Sequence, residues 1–159
     1  MFVKKYVKIL ILVVVLLLVS ACGKVSNQEF VKKCKLTTND ASNGYKLESE
    51  YKIYGKGDVV EKVETIETIT STNEEILEYF EEYLEETYEE YDKIYGGYTN
   101  EVENENGKVV SKTIIDYNIM DVEQYVEDNS GMKNYVNSNN KLLLKGIINI
   151  YESLGAVCE

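Results

Sequence analysis

The segment Tyr45 to Thr70 reads YKLESEYKIYGKGDVVEKVETIETIT. Its first ten residues alternate. Tyr45, Leu47, Tyr51 and Ile53 fall on one face, and Lys46, Glu48, Glu50 and Lys52 on the other, the pattern of a half-buried strand. Gly55-Lys56-Gly57-Asp58 supplies the turn, with two glycines available for the positive φ that a tight hairpin needs. Val59 to Thr70 is rich in β-branched residues and reads as the returning strand. Its apolar positions Val59, Val63, Ile66 and Ile69 break parity between 63 and 66, which predicts a bulge there.

Downstream, Ser71-Thr72-Asn73-Glu74-Glu75 opens a helix, with Thr72 and Glu75 spaced as a capping box. From there to about Tyr91, Ile76, Phe80, Tyr83, Leu84, Thr87 and Tyr91 form one expected stripe. Ten acids lie between Glu74 and Asp92, and no lysine interrupts them before Lys93. Like charges four apart oppose the helix, so packing of its stripe must hold it. Gly96-Gly97 ends it. Tyr98–Asn104 and Lys108–Asn118 read as a second hairpin around Asn106-Gly107, while Asp121–Gly131 suggests a short helix. Ser138 or Asn139 would cap a last, apolar helix running from Leu142 to Leu154, before Gly155. The order ββαββ(α)α predicts an α+β fold, an antiparallel sheet from two hairpins with helices packed on one face.

Upstream, Lys4, Lys5 and Lys8 precede the apolar run Ile9–Val19. Eleven residues span only about 16 Å as a helix, too short to cross a bilayer but suited to a signal peptide. Val19-Ser20-Ala21-Cys22 then resembles a bacterial lipobox, in which the Cys22 thiol would take a diacylglyceryl group and become the mature N-terminus. The alternative is a plain secretory signal that happens to precede a cysteine. The expected organisation is a signal peptide over 1–21, a lipid-anchored tether over 22–33 and one α+β domain over 34–159. Without the three lysines of the signal, the net charge of −11 becomes −14.

Cys34 and Cys158 remain, at the two ends of the domain in an exported chain. Domain termini often lie close together, so a disulfide between them is the expected state. Unpaired thiols or a metal pair are the alternatives, and two cysteines without histidine make a poor metal site.

The chain has no His, Pro or Trp, and its 17 basic residues are all lysine. The absence of histidine excludes Ser-His-Asp and Cys-His nucleophiles and His-ligated zinc. An arginine-free acidic chain is a poor nucleic-acid partner. Heavy use of Lys, Asn, Ile and Tyr points to AT-rich coding and a low-GC Gram-positive bacterium. The expected location is then the extracytoplasmic face of the cell membrane.

Tyr54-Gly55-Lys56-Gly57-Asp58-Val59, the helix opening Ser71–Glu75 and the exit Tyr91-x-x-Ile94-x-Gly96-Gly97 resemble the YehR-like bacterial lipoproteins. The resemblance runs from about Tyr45 to Leu154. It implies a small α+β lipoprotein and brings no catalytic residues; the Cys34/Cys158 pair rests on this sequence alone.

Three features invite a chemical reading. The acids of Glu74–Asp92 would suit a cation or a basic partner, although a straight helix radiates carboxylates where a calcium loop converges them. Glu101, Glu103 and Glu105 alternate as a metal ladder would, or as an edge kept soluble by charge. Tyrosines 79, 83, 88, 91, 95 and 98 would make a stacking platform for sugars, or a border between core and solvent. No catalytic, cofactor or metal residue is assigned. The expected role is a non-catalytic envelope interaction module held to the membrane through Cys22, with the acidic helix as its contact surface. The alternative is a small carboxylate-dependent hydrolase or a solute- or metal-binding lipoprotein.

Overall fold

The computed structural model describes residues 27–159. The expected signal peptide and Cys22 lie outside the described residues. Within them the order is β1 (Glu29–Asp40), β2 (Tyr45–Lys56), β3 (Val59–Ser71), α1 (Glu74–Tyr95), β4 (Tyr98–Glu105) and β5 (Lys108–Asp116). Then follow α2 (Val122–Asp128), a 3-10 turn (Ser130–Tyr135), α3 (Leu144–Ser153) and β6 (Val157–Cys158). The strands form one antiparallel sheet in the order β4-β5-β3-β2-β1-β6. The fold is α+β, with both expected hairpins in place.

Odd-numbered residues of β5, and of β3 beyond Glu61, face the helices, as does Val60 before it. Ile69 and Val109 pack with Leu77 and Leu84 of α1, while Ile53, Val60 and Val63 pack with Ile147 of α3 and with Tyr117, Met120 and Val122. The even-numbered face is open to solvent and leaves Ile66 and Ile114 about two-fifths exposed.

Several local readings need correction. Glu29–Lys33, expected as tether, form the first half of β1, whose only fully buried residue is Cys34. The bulge lies earlier than predicted, where pairing shifts from Tyr54–Lys62 to Gly55–Val60 and leaves Glu61 over. Ile66 therefore faces solvent, not the core. The helix cap is Asn73, whose side chain accepts from the Glu75 N–H at 3.0 Å, and not Thr72. On α1 the buried residues are Leu77 and Leu84, with Phe80 and Tyr88 packed beside them, whereas Tyr83 and Tyr91 are exposed. The packed stripe keeps Phe80 and Leu84 of the expected one and takes Leu77 and Tyr88 in place of Tyr83 and Tyr91. The last helix starts at Leu144, because Leu142 and Leu143 are held extended. Leu142 accepts from the Val60 N–H, and the Leu144 N–H donates to Asp58 across the β2–β3 turn. Asn137 closes the preceding turn by accepting from the Asn139 and Lys141 N–H groups.

Two turns depend on special backbone. Asn106 and Gly107 both take positive φ (53° and 78°), as the expected hairpin turn requires. Gly97 sits at φ 80°, and a Cβ there would meet the Asp116 carbonyl at 2.7 Å. Both demands are visible as Asn-Gly and Gly-Gly in the sequence.

Candidate interaction surfaces

Cys34 and Cys158 are directly opposed on β1 and β6, and their sulfurs are joined in a disulfide. Backbone bonds of 3.2 and 2.9 Å between Lys33 and Glu159 flank it. The bond closes a separation of 124 residues and holds the two ends of the domain side by side. At the other end of β1, Gln28 accepts from the Gly57 N–H. The chain thus enters the domain beside the β2–β3 turn.

The helix α1 turns its acids outward. Glu89 pairs with Lys93 at 2.6 Å, Glu81 accepts from Asn104 at 2.7 Å, and Asp92 accepts from the Tyr98 N–H at 3.0 Å. Two open grooves flank the helix along β4. One of about 830 Å³ lies between its first half and the Asn106-Gly107 turn, lined by Glu74, Glu78, Glu81 and Glu105. The other, about 530 Å³, is lined by Glu85, Glu89, Asp92, Tyr88 and Tyr98. Glu101, Glu103 and Glu105 lie on an edge strand and alternate on its open face; Glu103 meets Lys112 at 3.3 Å. Among the described residues, no three Cys, Asp or Glu side chains come together as a metal site would require.

The tyrosines fall into two groups, not one platform. Tyr79 and Tyr83 stack near the start of α1 with ring centres 5.9 Å apart and half or more of each exposed. Tyr88, Tyr91, Tyr95, Tyr98 and Tyr125 form a continuous edge-and-tilt chain at the other end. Burial raises the pKa of Tyr98 and Tyr125, so these rings are a border of the core that reaches solvent at Tyr91.

Between the two apolar clusters runs a polar band that sequence reading missed. Ser49, Glu67 and Ser111 lie in one row across β2, β3 and β5, and Tyr51, Thr65 and Thr113 in the next. Glu67 accepts from the Tyr88 hydroxyl at 2.9 Å. Ser111 and Thr113 both donate to the Asn100 side-chain oxygen, at 2.8 and 3.0 Å. Burial raises the Glu67 pKa, and the Tyr88 bond opposes that rise. Tyr88 is raised in turn, by burial first and then by the adjacent carboxylate. The signal was the parity of β3 after Glu61, which turns Glu67 inward.

On the open face, Glu64 accepts from Lys62 at 2.6 Å and from the Tyr54 hydroxyl at 2.7 Å. The Lys62 contact and the Tyr54 bond hold the Glu64 carboxyl below its ordinary range. A shallow concavity of about 290 Å³ beside this cluster is floored by Ile66 and Ile114.

These features define a two-layer α+β protein with a bare sheet face and an acidic helical face. In fold it is similar to a solved protein of Streptococcus pneumoniae TIGR4, determined by NMR, with 17% sequence identity and a TM-score of 0.50. The match covers 84% of this chain and 86% of that one. No protein-family profile matches the sequence, and no curated protein matches it. At that identity the likeness concerns the fold alone.

Proposed function

We propose that the chain is a bacterial lipoprotein of the YehR-like kind, anchored through Cys22 on the extracytoplasmic face of the membrane. Its role is that of a non-catalytic interaction module. The observation that carries this reading is the apolar run Ile9–Val19 leading directly into Ser20-Ala21-Cys22. The Cys34–Cys158 disulfide supports it, since such bonds persist in oxidising compartments. Two acyl chains on one cysteine hold a protein firmly where one would bind marginally.

The contact surface is the outer face of α1. Its acids and the two grooves beside β4 offer many exposed carboxylates around Tyr88 and Tyr98, a surface suited to a basic protein or a cationic envelope polymer. Electrostatic steering by such a face acts mainly on association rate and falls with salt.

Fractionating cells that express the native chain and Cys22→Ala tests the anchor. The native chain is expected in the membrane pellet, and the variant in the culture medium or in an uncleaved precursor. Equal membrane retention of both would end the lipoprotein reading. Titration with a lysine-rich peptide tests the surface, and Glu82→Lys with Glu86→Lys is expected to weaken binding several-fold.

A further inference from the structure

We propose that the open face of the sheet is a self-association surface, on which a second copy docks about a twofold axis parallel to the strands and passing through Ile66. The register of the sheet places Glu101 opposite Lys112, Lys112 opposite Ile66, Ile66 opposite Glu50, and Glu50 opposite Lys35. All five side chains point to the bare face. From β4 to β1 the row therefore reads Glu, Lys, Ile, Glu, Lys. Read backwards, it exchanges every acid for a lysine and keeps isoleucine at the centre.

A half-turn about the strand direction lays that reversed row on the original. Glu101 of each copy meets Lys35 of the other, Lys112 meets Glu50, and Ile66 meets Ile66. A twofold axis across the strands does the opposite and sets Glu101 on Glu101 and Lys35 on Lys35. In this central row charge favours the axis parallel to the strands. The neighbouring rows add no complementary pairs, since the same half-turn sets Val110 on Glu48 and Ile114 on Lys52. Thr68 lies on the axis on one side, with Val110 and Glu48 beside it. On the other side Glu64 lies on the axis and faces Glu64 of the second copy, a like-charge contact that Lys62, bonded to each carboxylate at 2.6 Å, offsets.

The remaining observations agree. Ile66 and Ile114 are 41% and 42% exposed and floor the concavity at the centre of this face. The ion pairs now on it, Lys35–Glu50 at 3.6 Å and Lys112–Glu103 at 3.3 Å, are exposed and weak, so exchanging them between copies costs little. Five strands about 4.8 Å apart and about eight residues long offer roughly 650 Å² per copy, within reach of a specific interface. The acid excess that would drive two copies apart sits on α1, which packs on the opposite face and would end up outermost in the pair.

Zero-length carbodiimide coupling of the full chain in detergent micelles tests this. Glu101 and Lys35 lie four strand spacings apart in one copy, about 19 Å, too far for such a link within a chain. Mixed light and heavy isotope-labelled chains are expected to give an inter-chain peptide joining Glu101 to Lys35. Lys35→Glu alone and Glu101→Lys alone each set like charges together twice and are expected to lower dimer yield at least about tenfold. Mixed together, those two variants restore both contacts and are expected to form the heterodimer, which also shows that each is folded. A monomer throughout, with no Glu101–Lys35 link, overturns the proposal. So do single variants that dimerise as the native chain does.

Discussion

Glu67 places a carboxyl group between sheet and helix with one hydrogen bond, from Tyr88, to oppose the cost of burial. A carboxyl with a higher pKa in the folded chain than in the unfolded one favours folding while protonated. That contribution is complete below the unfolded pKa and is lost as pH rises through the folded one. Glu67→Gln keeps the shape and an acceptor for Tyr88. It is expected to be more stable than the native chain at pH 7 by about 1 kcal/mol, with the gain vanishing near pH 4. Urea denaturation at the two pH values measures it; a difference independent of pH would mean that Glu67 does not titrate against burial. Gly97 is the second residue where one atom decides the outcome. Gly97→Ala combines a positive φ with the 2.7 Å approach to the Asp116 carbonyl and is expected to cost roughly 2 kcal/mol by thermal melting. The two residues differ in legibility. Gly97 announces itself as half of a Gly-Gly pair after a helix. A glutamate in an alternating polar strand reads as solvent-facing, and only the unpaired Glu61 reverses that reading for Glu67.

Among the elements, α1 carries the sharpest conflict between local and tertiary preference. Glu82, Glu86 and Glu90 follow each other at four-residue spacing, and Leu77 and Leu84 are the buried residues that hold the helix down. Glu86→Lys turns two repulsive pairs into attractive ones and is expected to stabilise the domain by about 0.5–1 kcal/mol at low salt. Adding 0.5 M salt should raise the melting temperature of the native chain and shrink the advantage of the variant. A melting point indifferent to salt would contradict this origin. Leu84→Ala, by contrast, is expected to cost about 2–4 kcal/mol whatever the salt. β2 and both hairpin turns were legible because alternation and turn glycines agree there. β1 was not, because EFVKKCKLTTND carries mostly polar residues and has only Cys34 fully buried. Ile66 misled in the opposite sense. On a sheet with one bare face, an isoleucine can lie outside, so apolarity alone did not locate the bulge.

At the scale of the whole molecule, one covalent bond and one address organise the rest. β6 is two residues long and is held to β1 by the cystine and by the Lys33–Glu159 bonds. Reducing the disulfide is expected to lower stability by as much as about 4–5 kcal/mol, read as a drop in melting temperature with dithiothreitol. An unchanged melt would assign the bond no structural role. The pairing was legible from two cysteines at the ends of a domain, whereas the strand that presents Cys158 was too short to read. On the reading proposed above, the lipobox resemblance at Val19–Cys22 would anchor the whole molecule, whose charge is carried largely on α1. Intact mass spectrometry of the chain purified from the membrane fraction, without reduction, tests that claim most directly. The expected species begins at Cys22, carries a diacylglyceryl group on that residue and is two hydrogens lighter than its reduced form. A chain that begins at Cys22 without lipid, or that retains residues 1–21, would contradict it.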